Sequence, residues 1–103
     1  MQKEVYVVNI EYVSSNLYGE GYNTRVFDSE DKAIEFIQKE IFEIYDYGPD
    51  LNMDDYTEDE LKSMVDIPSR TKILTEAKKG PGLLCTDAAH NLTIYSLKEA
   101  IFN

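Results

Sequence analysis

The sequence has a single cysteine, a single histidine and half as many basic as acidic residues. One cysteine cannot form an internal disulfide, so the fold does not depend on an oxidising compartment. No run approaches the roughly 20 apolar residues that a membrane-spanning helix needs, and the N-terminus does not resemble a signal peptide. We therefore expect a cytoplasmic protein that binds no membrane.

Basic residues are scarce, and the scarcity is uneven along the chain. The net charge is −10, with 17 acids against 5 bases in residues 1–68 and 3 acids against 5 bases in residues 69–103. Phosphate binding requires clustered lysine and arginine, so we expect no direct contact with nucleic acid. A negative surface of this kind suits a basic protein partner, or it serves solubility alone.

The pattern that the sequence does contain is that of a single α+β domain over residues 1–103. A chain of this length is too short for two independent cores. Residues 4–13 and 22–27 have the composition and alternation typical of strands, and together they predict a β-hairpin. Residues 29–46 place their apolar side chains on one helical stripe and predict a long amphipathic helix.

The second half of the chain predicts one more helix and three short strands. Thr57-Glu58-Asp59-Glu60 matches a capping box at the start of a short helix. Strands are predicted over residues 71–77, 83–86 and 92–97, although residues 71–79 could also be helical. The resulting order, ββααβββ, predicts an antiparallel or mixed sheet of four to five strands with the long helix packed on one face.

An acidic loop is the richest candidate for binding a metal ion. Residues 50–61 supply suitable ligand types at positions 1, 3, 5 and 9 of an EF-hand loop. However, the sixth position is Asp55, where the turn needs glycine, and the twelfth is Leu61, where a bidentate glutamate is needed. We therefore expect no metal, and the helix dipole accounts for the acids at 58–60.

Cys85, Asp87 and His90 are the second candidate for chemistry, because a thiolate paired with an imidazole is a known nucleophile arrangement. The chain has no second histidine and no glycine-rich oxyanion loop to complete such a site. We therefore expect no enzymatic activity and no cofactor. Cys85 is interpreted as a small strand residue and His90 as a loop residue.

The acids of residues 46–60 indicate a surface that binds a protein. This segment holds seven acids, no base and two tyrosines, and tyrosine is enriched at protein interfaces. We expect its carboxylates to enter a basic cleft of a nucleic-acid-binding protein such as a nuclease. The expected partner-binding residues are Asp46, Tyr47, Asp50, Asp54, Asp55, Tyr56, Glu58, Asp59 and Glu60.

This surface predicts a non-enzymatic inhibitor or decoy of a nucleic-acid-handling protein. Anti-CRISPR and anti-restriction proteins of phage or mobile elements, and immunity proteins that neutralise toxin nucleases, work by the same physics. The likeness is one of size and charge, and no motif carries it. The alternative is a small protein-interaction or regulatory module that uses a hydrophobic strand edge, with the acidity serving only solubility.

Overall fold

In the computed structural model, which describes residues 2–14 and 20–102, four strands form one antiparallel sheet. They are β1 (Lys3–Ser14), β2 (Gly21–Phe27), β3 (Leu83–Thr86) and β4 (Leu92–Phe102), in the order β2-β1-β4-β3 across the sheet. The described chain also contains the helices α1 (Glu30–Glu43), α2 (Glu58–Met64) and α3 (Arg70–Glu76), and a short 3-10 helix, Met53–Asp55. The predicted α+β class is confirmed.

The predicted hairpin is present. β1 and β2 pair antiparallel, with Tyr6 opposite Phe27 at one end and Tyr12 opposite Gly21 at the other. Most of the connection between the two strands, residues 15–19, lies outside the described residues. β4 pairs with β1 on the other side and thereby makes β1 a central strand.

The strand predicted over residues 71–77 is wrong, because this segment forms α3. The Ser69 hydroxyl caps the helix by accepting the Lys72 N–H at 3.2 Å. Ile73 and Ala77 lie one turn apart, and both are buried in the core. The β-branched residues of the segment favour a strand, but the cap and the buried turn decide for a helix. The order is therefore ββαααββ, with four strands.

The structure gives the first helix different bounds from the predicted 29–46. Ser29 is its N-cap, and its last helical residue is Glu43. Beyond that point the backbone of Asp46 is held by the turn that contains Asp87 and Ala88. Hydrogen bonds to another part of the chain replace those that a further helical turn would form.

The core lies on one face of the sheet. Alternate side chains of β1 and β4 point to this face and are buried together with residues of α1, α3 and β3. Burying large aliphatic side chains of this kind stabilises a fold by about 1.5–3 kcal/mol each. The largest fully buried side chains are Tyr95, Ile10, Ile37, Ile73, Leu97 and Val8.

Candidate functional site

The acids predicted to bind a partner lie in the connection between α1 and α2 and in the first turn of α2. The connection forms the 3-10 helix Met53–Asp55 and enters α2 at Glu58. Residues 50–60 contain no base that could neutralise their acids. Six of these acids are exposed and are called here the acidic surface: Asp50, Asp54, Asp55, Glu58, Asp59 and Glu60.

Capping side chains shape this segment. The side-chain oxygen of Asn52 accepts the Asp54 N–H at 3.2 Å and begins the 3-10 helix. The Thr57 hydroxyl accepts the Glu60 N–H at 3.2 Å, and the Glu60 carboxylate accepts the Thr57 N–H at 3.1 Å. The predicted capping box is therefore confirmed. Of the six acids, Glu60 alone has a carboxylate in this box.

Ion pairs neutralise the acids at the N-terminal end of α1. Lys78 Nζ lies 2.9 Å from Glu30 and 3.2 Å from Glu99. Hydrogen bonding to Glu30 also raises the pKa of Lys78. Arg70 pairs with Glu30 and Asp31. The bases on and just after α3 thus compensate the acids of α1 that lie nearest to them.

The acidic surface has no comparable compensation. Among the described residues its one salt bridge joins Lys62 and Glu58, with Nζ and Oε1 3.4 Å apart. Exposed pairs of this kind contribute about 0–1 kcal/mol. Lys62 Nζ also lies 5.6 Å from the centroid of the Phe42 ring, which places α2 beside the last turns of α1.

The C-terminal end of α1 adds negative charge to the same region. Its last turn contains no base, and a helix C-terminus carries a partial negative charge of its own. Partial burial is the larger cause that raises the pKa of Glu40, and the nearby negative charge of Glu43 is the second cause. The salt bridge between Lys39 and Glu43, with Nζ and Oε1 3.7 Å apart, compensates part of this charge.

Two of the predicted partner-binding residues have contacts inside the fold. The Asp46 carboxylate accepts the Gly48 N–H at 2.9 Å. The Tyr47 hydroxyl donates to the backbone oxygen of Leu61 at 3.3 Å. Tyr56 is half-buried. These three residues are better placed to hold the connection in shape than to reach a partner, so the exposed acids are the stronger part of the predicted site.

The other candidate residues are arranged for structure. Burial raises the pKa of the Cys85 thiol to about 11, whereas a nucleophilic cysteine needs a lowered pKa. The Asp87 carboxylate accepts N–H groups of Asp46, Ala89 and Asn91. Within residues 2–14 and 20–102, no three His, Cys, Asp or Glu side chains are grouped closely enough to hold a metal ion.

A second surface, which the sequence interpretation did not single out, is the sheet face opposite the core. Tyr22, Val26 and Leu84 lie on this face with 80%, 61% and 55% of their surface exposed. The sequence of β1 could have indicated this apolar face, because Val5 and Val7 alternate with the residues that point into the core. We call this the open face; its side chains in the central rows are Val5, Val7, Asn9, Glu11, Tyr22, Thr24, Val26, Leu84, Ile94, Ser96, Lys98 and Ala100.

Comparison of the chain with protein-family models, with curated proteins and with solved structures found no match. A function must therefore be sought in the chemistry of the site itself. In the part of the chain that the structure describes, no helix has both the length and the apolar character needed to cross a membrane.

Proposed function

We propose that this chain is a non-enzymatic acidic protein whose acidic surface enters a basic cleft of a nucleic-acid-binding protein, such as a nuclease, and inhibits or diverts it. The observation that carries the proposal is the acidic surface, which has six exposed carboxylates within residues 50–60. Among the described residues, only Glu58 of these six acids forms a salt bridge, with Lys62. Carboxylates displayed on a short segment offer a cationic groove the charge that phosphates would offer. A cytoplasmic inhibitor of the anti-CRISPR, anti-restriction or immunity type fits this physics.

Helix stability accounts for only part of the acidic surface. The acids at 58–60 lie in the first turn of α2, where the helix dipole stabilises each by about 0.3–1 kcal/mol. Asp50 precedes the 3-10 helix, and Asp54 and Asp55 lie within it. None of these three forms a salt bridge with a described residue. A basic partner would supply the opposite charge that these three acids lack among the described residues.

Binding of this kind has a salt dependence that can be measured. The potential of an exposed charge falls off over about 8 Å at physiological ionic strength. Charge of one sign can raise the association rate with an oppositely charged cleft by roughly 10- to 1,000-fold at low salt. We therefore expect the affinity for the partner to fall steeply as salt is added.

The test compares the wild-type protein with two triple variants of equal net charge. The variants are Asp50→Lys, Asp54→Lys and Asp55→Lys on the acidic surface, and Glu4→Lys, Glu20→Lys and Glu35→Lys at exposed positions outside it. Each protein is immobilised, exposed to the same bacterial lysate at low salt and eluted with a salt gradient. Mass spectrometry identifies the eluted proteins, and duplex DNA or RNA is then added as a competitor.

The proposal predicts a basic nucleic-acid-binding protein that the wild type and the outside variant both retain and that nucleic acid displaces. The acidic-surface variant should lose it. Retention by all three proteins would show that the position of these acids does not determine binding. A wild type that retains no basic protein would contradict the proposal itself. Because the two variants have the same net charge, a general loss of acidity cannot explain a difference between them.

The alternative function, an interaction module that uses a hydrophobic strand edge, has one observation in its favour. β2 is an edge strand, and its Tyr22 and Val26 side chains are largely exposed. A partner that adds a strand to this edge would bind through backbone hydrogen bonds and apolar contacts. Its retention would persist in high salt and would be the same for both triple variants, which separates it from the first proposal.

A further inference from the structure

We infer that the open face is an interface for a second copy of this chain, so that two sheets pack face to face in a two-fold symmetric dimer with their helices outward. This inference goes beyond the proposed function and does not depend on it. It rests on three features of the open face: its exposed apolar side chains, its scarcity of acids and its self-complementary rows.

The open face is more apolar than a sheet surface that only meets water. In antiparallel sheets with one solvated face, that face is usually polar. Here it carries Val5, Val7 and Ile94 beside the strongly exposed Tyr22 and Val26. None of these five side chains packs against the core cluster. They form two apolar patches, one on each side of a polar row across the sheet. Exposed apolar patches of this kind mark a site of association.

The distribution of charge favours a second copy as the occupant. Two molecules of net charge −10 repel each other through most surfaces. Among the described side chains that the strand register places on the open face, the only acid is Glu11, and Lys3 and Lys98 are also there. The open face is thus a surface through which two such acidic molecules can approach. The acidic surface follows α1, whose buried residues join the core on the opposite face.

The rows of the open face are complementary under a two-fold axis. Thr24, Asn9 and Ser96 form the middle row, and the Thr24 hydroxyl donates to the Asn9 side-chain oxygen at 2.8 Å. We place the two-fold axis midway between the two sheets and parallel to this row. Each strand then lies over the same strand of the second copy and runs in the opposite direction. Rows two residues to either side of the axis then face each other, with sheets about 10 Å apart.

Two pairings follow from that axis. Tyr22 and Val26 lie on β2 on opposite sides of the middle row, so Tyr22 of one copy faces Val26 of the other. Glu11 of one copy lies opposite Val7 of the second copy. Lys98 of that second copy is the neighbour of its Val7 on the next strand, about 4.8 Å away. One operation therefore sets the two most exposed apolar side chains of the open face against each other and brings Glu11 diagonally beside Lys98 of the other copy. Both contacts occur twice, as an isologous interface requires.

The available area limits the strength of the dimer, although area alone does not determine affinity. Strands about 4.8 Å apart with a rise of about 3.3 Å per residue give the open face roughly 500 Å². Two copies would bury about 1,000 Å², which is near the lower limit for a specific interface. The dimer should therefore be weak and reversible, with a dissociation constant in the range of about 1–100 µM.

Sedimentation of the full chain over about 1–300 µM tests this inference within the expected affinity range. We expect the wild type to change from monomer to dimer across this range and Val26→Lys to remain a monomer. Ile101→Lys is the matched control, because Ile101 is 63% exposed, close to the 61% of Val26, but pairs with Glu4 and so lies on the other face of the sheet. It should dimerise like the wild type. Circular dichroism checks that each variant is folded.

A charge exchange makes the test independent of any single variant. Glu11→Lys and Lys98→Glu should each weaken dimerisation about tenfold, and the double variant should recover most of the loss. A wild type that stays monomeric at the highest concentration would overturn the inference and leave the open face to a different protein. Equal effects of Val26→Lys and Ile101→Lys, or a double variant as weak as the single ones, would also overturn it.

Discussion

The Asp87 side chain is hydrogen-bonded to the backbone of Asp46, although the two residues lie 41 positions apart in sequence. Asp87 Oδ2 accepts the Asp46 N–H at 3.2 Å, and the N–H of Ala88 donates to the Asp46 oxygen at 3.1 Å. These bonds connect the turn between β3 and β4 to the chain that leaves α1. Because the acidic surface begins at Asp50, this junction fixes its starting point relative to the sheet.

Replacing Asp87 with alanine should lower the free energy of unfolding by about 2–3 kcal/mol, because several partly buried N–H groups would lose their common acceptor. Its carboxylate accepts N–H groups of Ala89 at 3.0 Å and Asn91 at 2.9 Å as well as that of Asp46. Urea denaturation measures the change. Asp50→Ala, at an exposed acid, is the control and should change stability by less than about 0.5 kcal/mol. Equal effects of the two variants would contradict the structural role of Asp87.

Gly82 should tolerate no side chain. A Cβ atom there would lie 2.5 Å from the backbone oxygen of Tyr95, and its φ of +109° is one that other residues rarely adopt. We expect Gly82→Ala to destabilise the protein by at least about 2 kcal/mol in urea denaturation. Gly21→Ala is the matched control, since no atom lies within 4 Å of its added Cβ. If both variants denature at the same urea concentration, the result would contradict the close approach of the Gly82 backbone to β4.

The sequence predicted the elements whose signals are local. The β1–β2 hairpin follows from alternation in adjacent segments, and the capping box of α2 follows from four consecutive residues. The β-branched residues of 71–77 predicted a strand, with a helix over 71–79 as the alternative. The contact of Ile73 and Ala77 with the core decides between the two, and a single segment does not contain this information.

The candidate site was predicted only as far as its charge. A run of acids without bases is visible in the sequence, but the distribution of ion pairs is not. Lys78 pairs with Glu30, 48 residues away in sequence, and so does not neutralise the acids of residues 50–60. Asp87 was a candidate for chemistry because of its neighbours in sequence, whereas its bond to Asp46 gives it a structural role. Both outcomes depend on contacts between distant segments.

Glu40→Gln should stabilise the protein at neutral pH. Partial burial is the first cause that raises the pKa of Glu40 above its ordinary value of 4.5, and the charge of Glu43 is the second. A raised pKa means that the folded state favours the protonated acid, so the wild type loses stability as the pH rises through that pKa. Glutamine keeps a neutral side chain and avoids this loss. The gain should be about 0.5 kcal/mol, since the site is partly exposed.

Thermal unfolding of both proteins between about pH 4 and pH 7 measures this effect. The two melting temperatures should lie close together at the acid end and separate as the pH rises, with the variant higher. Glu35→Gln, at an exposed position of the same helix, provides the control and should show a smaller separation. A separation that shrinks towards pH 7 would have the wrong sign for a raised pKa.

Cys85 should react slowly with alkylating agents, and its pH profile should show why. Burial raises the pKa of the thiol from 9.0 to about 11, and only the thiolate reacts. At pH 8 a shift of this size reduces the thiolate fraction by about 100-fold. Iodoacetamide labelling followed by mass spectrometry gives the rate, and the chain has no other cysteine to confuse the signal.

The shape of the profile separates the pKa of Cys85 from simple shielding. A shielded thiol with an ordinary pKa reacts slowly at every pH, but its rate levels off near pH 9. A thiol with a raised pKa reacts about tenfold faster for each pH unit until it approaches pH 11. The same protein unfolded in guanidinium chloride serves as the reference and should level off near the ordinary value. Because the unfolded chain then ionises at lower pH than the folded one, this thiol also contributes to a loss of stability between about pH 9 and 11.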